Sequence, residues 1–109
     1  MTVQKLANEM GLSVLSMPEP EREISGVYIG DLLSWVMGRA GADSAWITIM
    51  SNVNVVAVAG LADVSCVILA EGVTLDDEAQ KTAGERGVNI LLSKEPSYET
   101  AISLYGLLK

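Results

Sequence analysis

The sequence predicts an α/β fold with three layers, in which a mostly parallel sheet lies between two layers of helices. From Ala45 onward, strand-like and helix-like segments alternate in the order βαβαβα. The strand-like segments are continuously apolar, as is typical of parallel strands buried on both faces. The chain has 109 residues, half of them hydrophobic, which is enough for one domain of ordinary size.

The N-terminal part of the chain precedes this alternating pattern. Apolar residues at helical spacing predict a helix over Thr2–Met10, which ends at Gly11. A short apolar strand follows over Leu12–Leu15, and two prolines with dense charge then predict a linker. We therefore expect a single domain with three parts, namely an N-terminal helix and short strand (1–16), a linker (17–23) and a core (24–109).

The first elements of the core are a strand, a turn and a helix. Ile24–Ile29 is predicted to be a strand, and Asp31 is the natural N-cap of the amphipathic helix that follows the turn at Gly30. The β-branched and aromatic run Ala45–Met50 predicts the next strand, which ends in the polar turn Ser51–Asn54.

The middle of the core contains one ambiguous segment. The periodicity of Val55–Val64 fits either a strand or a buried helix. We favour a helix, capped by Asn52 or Asn54, because the plain buried strand Cys66–Ala70 follows it and a strand-helix-strand order results.

The last third of the chain predicts a helix, a strand and a final helix. Thr74 is the expected N-cap of the first helix, which ends before Gly87. Val88–Leu92 is the expected strand, and Ser97 the expected cap of the last helix. The predicted buried side chains of that helix are Tyr98, Ala101, Ile102, Tyr105 and Leu108.

Composition excludes several classes of function. The net charge of −7 opposes binding to nucleic acid or to an anionic membrane, so neither is an expected partner. The absence of histidine excludes histidine-based catalytic triads and histidine-ligated zinc. There is no P-loop, G-x-G-x-x-G or C-x-x-C motif, and we expect no enzyme activity. Without a signal-like or membrane-spanning segment, and with Cys66 as the single cysteine, we expect a cytoplasmic protein.

The candidate ligand site is the edge of the sheet where the parallel strands end, because ligands of such folds bind there. The turn Ser51–Asn54 could cradle a phosphate or carboxylate at a helix start, although simple helix capping also explains it. Asp31 and Glu71 could share a magnesium ion, or serve as a cap and a solvated residue. Lys94 could neutralise a phosphate or simply be solvated. The candidate ligand residues are Gly30, Asp31, Ser51, Asn52, Asn54, Glu71, Gly72 and Ser93. No residue is assigned to catalysis or to a structural metal. The ligand itself, if a nucleotide or a phosphorylated metabolite, could bind with or without magnesium.

The surplus of apolar residues predicts self-association. A small domain buries only about two-thirds of its unfolded surface, and the segment Val55–Val64 is apolar nearly all round. A homodimer is therefore the expected assembly.

Three segments resemble a known family. Gly26–Val36 (GVYIGDLLSWV), Ala45–Gly72 (AWITIMSNVNVVAVAGLADVSCVILAEG) and Gly87–Ser93 (GVNILLS) together resemble a DRTGG domain of the small stand-alone kind, over most of the chain. The Asp-Arg pair of that family corresponds to the turn Ser51–Asn54, where neither residue is present. Its Thr-Gly-Gly corresponds to Ala70–Gly72, where only the last glycine is kept.

The resemblance implies a fold like that of the N-terminal domain of HPr kinase/phosphorylase. It also implies a regulatory or dimerising role, because such domains accompany phosphotransacetylase catalytic domains and CBS-domain pyrophosphatases. Three hypotheses follow from residues and resemblance together. They are a non-catalytic regulatory module that binds a nucleotide or phosphorylated ligand, a subunit that docks on a partner enzyme, and a metal-assisted hydrolase using Asp31 and Glu71.

Overall fold

The computed structural model describes residues 1–109, and all the predicted elements are present with their ends shifted by up to three residues. In chain order they are α1 (Val3–Met10), β1 (Ser13–Ser16), β2 (Gly26–Ile29), α2 (Leu33–Arg39), β3 (Ser44–Thr48), α3 (Val53–Ala62), β4 (Cys66–Leu69), α4 (Asp77–Glu85), β5 (Ile90–Leu92) and α5 (Ser97–Leu108). No helix has the length and apolar character needed to cross a membrane.

The five strands form one sheet in the order β1-β5-β4-β3-β2. Strands β2 to β5 are parallel, and β1 pairs antiparallel with β5 at one edge. Helices α2, α3 and α4 lie on one face, and α1 and α5 on the other. Right-handed crossovers between successive neighbouring strands place α2 to α4 on the same face. The predicted three-layer fold with a mostly parallel sheet is therefore confirmed.

The ambiguous segment in the middle of the chain is a helix, as predicted. Helix α3 lies between α2 and α4 on the sheet, and its side chains Val55, Val56 and Val58 are buried there. The apolar character of this helix is one of the two observations from which the sequence predicts a dimer. The sheet and the neighbouring helices bury four of its residues, so one side of the helix is covered within the chain, whereas Val53 and Leu61 remain 50% and 72% exposed.

The local sequence predicts the N-cap of α3 correctly but not the N-cap of α4. Asn52 is the N-cap of α3, and its side chain accepts a hydrogen bond from the backbone N–H of Asn54. The predicted cap Thr74 is wrong, since α4 begins later and Asp76 caps it by accepting from the N–H of Ala79. The reason is Leu75, which the core buries while the backbone is still outside the helix.

The buried side of the last helix agrees with the prediction only in part, because Ala101 and Leu108 are half-buried against the core but Tyr98, Ile102 and Tyr105 are exposed. Its buried residues are Thr100 and Leu104, whereas Tyr98 and Tyr105 are 72% and 68% exposed. Thr100 can be buried because its hydroxyl lies 2.8 Å from the Ser93 hydroxyl, so its hydrogen bonding is satisfied. The predicted cap Ser97 is also wrong, because Ser97 is the first helical residue and Pro96 occupies the cap position.

The predicted linker 17–23 packs at the end of the sheet where the parallel strands begin. The candidate site lies at the other end, where these strands finish. Its carbonyl groups accept hydrogen bonds from the first turn of α1, for example Arg22 from Val3 at 3.0 Å. The Arg22 guanidinium binds Asp43 at 2.9 Å and Asp63 at 2.7 Å. Burial lowers the pKa of Arg22, but the hydrogen bonds to the two aspartates outweigh this effect and raise it. This segment is thus a packed part of the structure.

Candidate ligand site at the carboxyl rim of the sheet

The loops that follow the four parallel strands meet at one edge of the sheet, which we call the carboxyl rim. All eight predicted ligand residues lie on this rim, in these loops or at the start of α3. Seven of them fall into two groups, because backbone hydrogen bonds join the loops after β4 and β5, whereas the turn after β3 is exposed; the eighth, Gly30, has a packing role.

The closed half of the rim contains Glu71, Gly72 and Ser93. Glu71 and Gly72 both have left-handed backbone conformations, with φ of 61° and 70°. Their N–H groups donate to the carbonyl groups of Glu95 at 2.8 Å and Ser93 at 3.0 Å. The buried Ser93 hydroxyl is paired with Thr100 and also accepts from the N–H of Glu95. These backbone donors and this hydroxyl are already used in holding two loops together.

Gly30 has a packing role at the end of β2. Its carbonyl accepts a hydrogen bond from the Trp46 indole N–H at 2.8 Å. A Cβ atom at this position would lie 2.9 Å from Cε2 of Tyr28, closer than side chains normally approach. Glycine therefore allows the Tyr28 ring to fold back against the end of its own strand.

Asp31 does not cap a helix, contrary to the prediction. Helix α2 begins at Leu33 without any side-chain cap. The Asp31 Oδ1 atom instead accepts hydrogen bonds from Thr48 Oγ1 at 2.8 Å and from the N–H of Ile49 at 3.0 Å. Because β2 and β3 are parallel neighbours, the carboxylate joins their two ends and is held in a fixed position on the rim.

The open half of the rim consists of Asp31 and the turn that precedes α3. Ser51, Asn52 and Asn54 are exposed there, and the only side-chain hydrogen bond of this turn is the Asn52 cap. The positive end of the α3 dipole lies at the same place. Hydroxyl and amide groups are thus exposed at this helix start, and the Asp31 carboxylate is held at the end of the strand that precedes the turn.

The two acidic residues of the predicted magnesium pair follow strands that are not neighbours in the sheet. Strand β3 lies between β2, which precedes Asp31, and β4, which precedes Glu71. Two strand spacings amount to about 10 Å. The structure contains no group of three or more acidic, cysteine or histidine side chains arranged to hold a metal ion.

A polar cavity that the sequence analysis missed lies at the other end of the rim. It has a volume of about 270 Å³ and is lined by Met10–Ser13 and Leu92–Glu95. Lys94 is its only cation. The cavity depends on the antiparallel pairing of β1 with β5, which joins residues as far apart in the sequence as Ser13 and Leu92 and leaves no local signal.

A second cavity, larger than the polar one, lies on the side of the sheet and contains none of the predicted ligand residues. It is a groove of about 590 Å³ between β2 and α5, which we call the β2–α5 groove. Its walls are Ile24–Ile29 and the α5 residues Ala101, Tyr105, Leu108 and the adjoining Lys109. It is mostly apolar, so its chemistry differs from that of the rim.

Cys66 offers no reactive nucleophile. It lies in the central strand β4 and is fully buried. Desolvation by burial raises the pKa of the Cys66 thiol to about 12, against a small opposing effect of the Arg22 charge. The thiolate needed for nucleophilic chemistry is therefore scarce at neutral pH.

Comparisons with known proteins place the fold. The sequence matches no protein-family model and no curated protein. The structure is similar to the crystal structure of the CBS and DRTGG domains of the regulatory region of Clostridium perfringens pyrophosphatase, complexed with the activator diadenosine tetraphosphate. The TM-score is 0.71 and the identity 12%, and the similarity covers 92% of this chain and 44% of that chain.

This likeness supports a DRTGG-like fold. The chain spans less than half of the chain that it resembles, and the identity is low enough that the similarity concerns the fold. The protein that it resembles is described as a regulatory region, and the ligand in that structure is a nucleotide.

Proposed function

We propose that this chain is a non-catalytic regulatory module that binds a nucleotide or a phosphorylated small molecule and associates with itself. The observation that supports the proposal most is the fold, which resembles a regulatory region crystallised with a nucleotide activator. Fold alone does not define a function, so the proposal also depends on the chemistry of the rim.

The open half of the carboxyl rim is the proposed binding site. Ser51 and Asn54 supply exposed hydroxyl and amide groups beside the start of α3, where a phosphate is favoured by the helix dipole. Asp31 would repel a bare phosphate, but its carboxylate is suited to a magnesium ion that a nucleotide brings with it. We therefore expect magnesium to strengthen binding.

The non-catalytic part of the proposal is supported by the residue inventory. The chain has no histidine, the Cys66 thiol is buried, and the Asp31 carboxylate already accepts two hydrogen bonds. The separation of Asp31 from Glu71 across β3 also disfavours a hydrolase that uses this pair.

Thermal unfolding tests the ligand part of the proposal. The purified chain is heated with diadenosine tetraphosphate, adenine and guanine nucleotides and phosphorylated metabolites, each with and without magnesium. A ligand at about 100 times its Kd adds about 2.7 kcal/mol of stability, which for a domain of this size raises Tm by on the order of 10 °C. We expect such a rise for at least one nucleotide, larger with magnesium.

Two matched variants locate the site. The double variant Ser51→Ala/Asn54→Ala removes exposed groups of the open half and leaves the Asn52 cap intact, so the ligand-induced rise in Tm should largely disappear. Lys94→Ala removes the only cation of the polar cavity and should leave the rise unchanged.

A flat response to every ligand contradicts the sensing role. It would favour the second hypothesis, a subunit that docks on a partner enzyme. Purification from the native cell would then yield a single partner in stoichiometric amount.

A further inference from the structure

The last helix presents an apolar stripe that the chain covers only in part, since Ala101 and Leu108 are half-buried against the core while its two tyrosines are exposed. Tyr98, Ala101, Tyr105 and Leu108 follow the spacing i, i+3, i+7, i+10, which places them on one flank of α5. Three of the four line or border the β2–α5 groove, and both tyrosines are largely exposed. The pattern that predicted a core face for this helix thus exists, but it faces an open groove.

The opposite wall of the groove is an open sheet edge. Strand β2 is the outermost strand and pairs only with β3, and its sequence Gly-Val-Tyr-Ile contains no lysine or proline. On the side that faces α5, Ile29 is 52% exposed and Val27 is exposed as well. An apolar edge strand without charges or prolines is one that natural proteins normally cover.

The other edge strand of the sheet, β1, is less suited to pairing with a second chain. Strand β1 has an irregular register between Val14 and Ser16 where it pairs with β5. Such a bulge twists the strand and hinders pairing with another chain. The two edges of one sheet are therefore unequal, and only the β2 edge is suited to adding a strand.

The area and charge of this surface fit a second copy of the same chain. The exposed apolar side chains of β2 and α5 leave on the order of 500 Å² open to solvent, given the size of aromatic side chains. A standard interface buries about 800 Å² on each partner, so this patch with its polar border is large enough. Lys109 is the only charged side chain that lines the groove, and two chains of net charge −7 can approach each other there without opposing carboxylates.

We propose that the β2–α5 groove is the interface of a homodimer, in which the β2 edges of two copies pair antiparallel about a two-fold axis. This inference deepens the self-association part of the proposed function and names its surface. A two-fold axis makes paired identical strands antiparallel, and the two five-stranded sheets then form one sheet of ten strands. The α5 stripes of the two copies cover the joined edges on one face.

Light scattering on the full chain tests the proposal. We expect the wild-type protein at about 10 µM to have twice the 11.5 kDa mass of one chain. In the double variant Val27→Lys/Ile29→Lys the added charges are buried at the interface and the mass should fall to that of one chain. The variant Val14→Lys places the same charge at the other edge, where the exposure is similar at 48%, and should remain dimeric.

A second variant keeps the test decisive if the lysine variant folds poorly. Tyr105→Ser changes only an exposed side chain of the stripe and should weaken dimerisation at least 10-fold, with an unchanged circular dichroism spectrum. A wild-type monomer at 100 µM would overturn the proposal, and so would a dimer that survives both Val27→Lys/Ile29→Lys and Tyr105→Ser. A monomer that instead binds an added extended peptide at β2 would assign the groove to another partner.

Cross-linking tests the geometry directly. The native Cys66 is buried, so an introduced cysteine is the only reactive thiol. Val27→Cys should give a covalent dimer with a short bismaleimide, whereas Val14→Cys should not. Thermal unfolding with nucleotides, repeated on the monomeric variant, separates the two claims. A ligand-induced rise without a dimer overturns only the interface, and a dimer without the rise overturns only ligand sensing.

Discussion

Asp31 illustrates a residue whose role depends on a neighbouring strand. Its position after a turn and before a helix favours an N-cap, but its carboxylate accepts from Thr48 and Ile49 at the end of β3. Asn52 has a similar sequence context, and there the capping prediction is confirmed. The Asn52 hydrogen bond joins residues two positions apart, so the local sequence is enough to predict it. The Asp31 hydrogen bonds join two neighbouring strands, and the local sequence does not show which strands are neighbours.

A double-mutant cycle tests the link between Asp31 and Thr48. Asp31→Ala should lower the free energy of unfolding by about 1 kcal/mol, because it leaves the buried Thr48 hydroxyl without its acceptor. Asp31→Ala combined with Thr48→Val should cost less than the sum of the two single changes, by about 0.5–1.5 kcal/mol. Urea unfolding measures all three variants. Strictly additive effects would show that the two side chains do not interact.

The buried Cys66 thiol predicts that the free energy of unfolding falls at alkaline pH. Burial raises its pKa to about 12, while the thiol in the unfolded chain ionises near pH 8.5–9. Above that pH the unfolded state has released a proton that the folded state still holds, so stability falls as the pH rises.

The expected loss is about 1.4 kcal/mol for each pH unit between pH 9 and 12. Cys66→Ala should be less stable at pH 7 because it leaves a small cavity, but should lose less stability between pH 9 and 10.5 than the wild type. Parallel slopes for the two proteins in urea unfolding would mean that the thiol ionises equally in both states.

At the scale of elements, the sequence predicts which segments are helices and strands better than it predicts how they are oriented. The apolar β4 and β5 segments and the alternation of elements follow from composition and spacing. The buried side of α5 does not, because two apolar or semi-apolar sides compete. The buried side carries the hydrogen bond between the Thr100 and Ser93 hydroxyls, which joins α5 to the loop after β5 and is not contained in the helical periodicity.

The orientation of α5 can be tested with two neighbouring residues. Leu104→Ala removes a side chain that is fully buried, so we expect a loss of 2–5 kcal/mol of stability, within the usual range for such sites. Ile102→Ala changes a side chain that is 51% exposed and should cost less than about 1 kcal/mol. Urea unfolding at low protein concentration compares them, and the reverse order would favour the buried stripe predicted from the sequence.

The start of α4 can be tested in the same way. Asp76→Ala removes the side chain that accepts from the Ala79 N–H at 2.7 Å and should cost about 1 kcal/mol. Thr74→Ala, at the position that the sequence favoured, should change stability by less than about 0.5 kcal/mol. Thermal or urea unfolding of both variants would contradict this assignment if the threonine change proved the more costly.

At the scale of the whole molecule, the strand order determines which predicted site residues meet. The sequence places eight polar or glycine residues at the ends of parallel strands, and the structure gathers them on one rim. It separates Asp31 from Glu71 by one strand and uses the donors of the β4 and β5 loops internally. The rim was predictable because it consists of the ends of the predicted strands. Its open half was not, because strand order and the hydrogen bonds between loops arise from tertiary packing.

The two outer edges of the sheet also belong to this scale. The excess of apolar residues predicts an association surface, but the sequence analysis assigned it to the helix that became α3. The structure buries one side of that helix, leaves its Val53 and Leu61 exposed, and also exposes apolar side chains of β2 and α5. A composition can thus indicate that apolar surface remains, while only the packing of layers shows where it lies.

Nuclear magnetic resonance of the ¹⁵N-labelled chain tests the central claim most directly. Diadenosine tetraphosphate or another nucleotide that raises Tm is added in steps with magnesium, and the change in each amide signal is mapped on the structure. We predict that the largest changes lie at Asp31 and over Ser51–Asn54, with little change at Lys94 or in β2. Changes concentrated at Gly11–Ser13 and Lys94, or an unchanged spectrum at millimolar nucleotide, would contradict a ligand site in the open half of the rim.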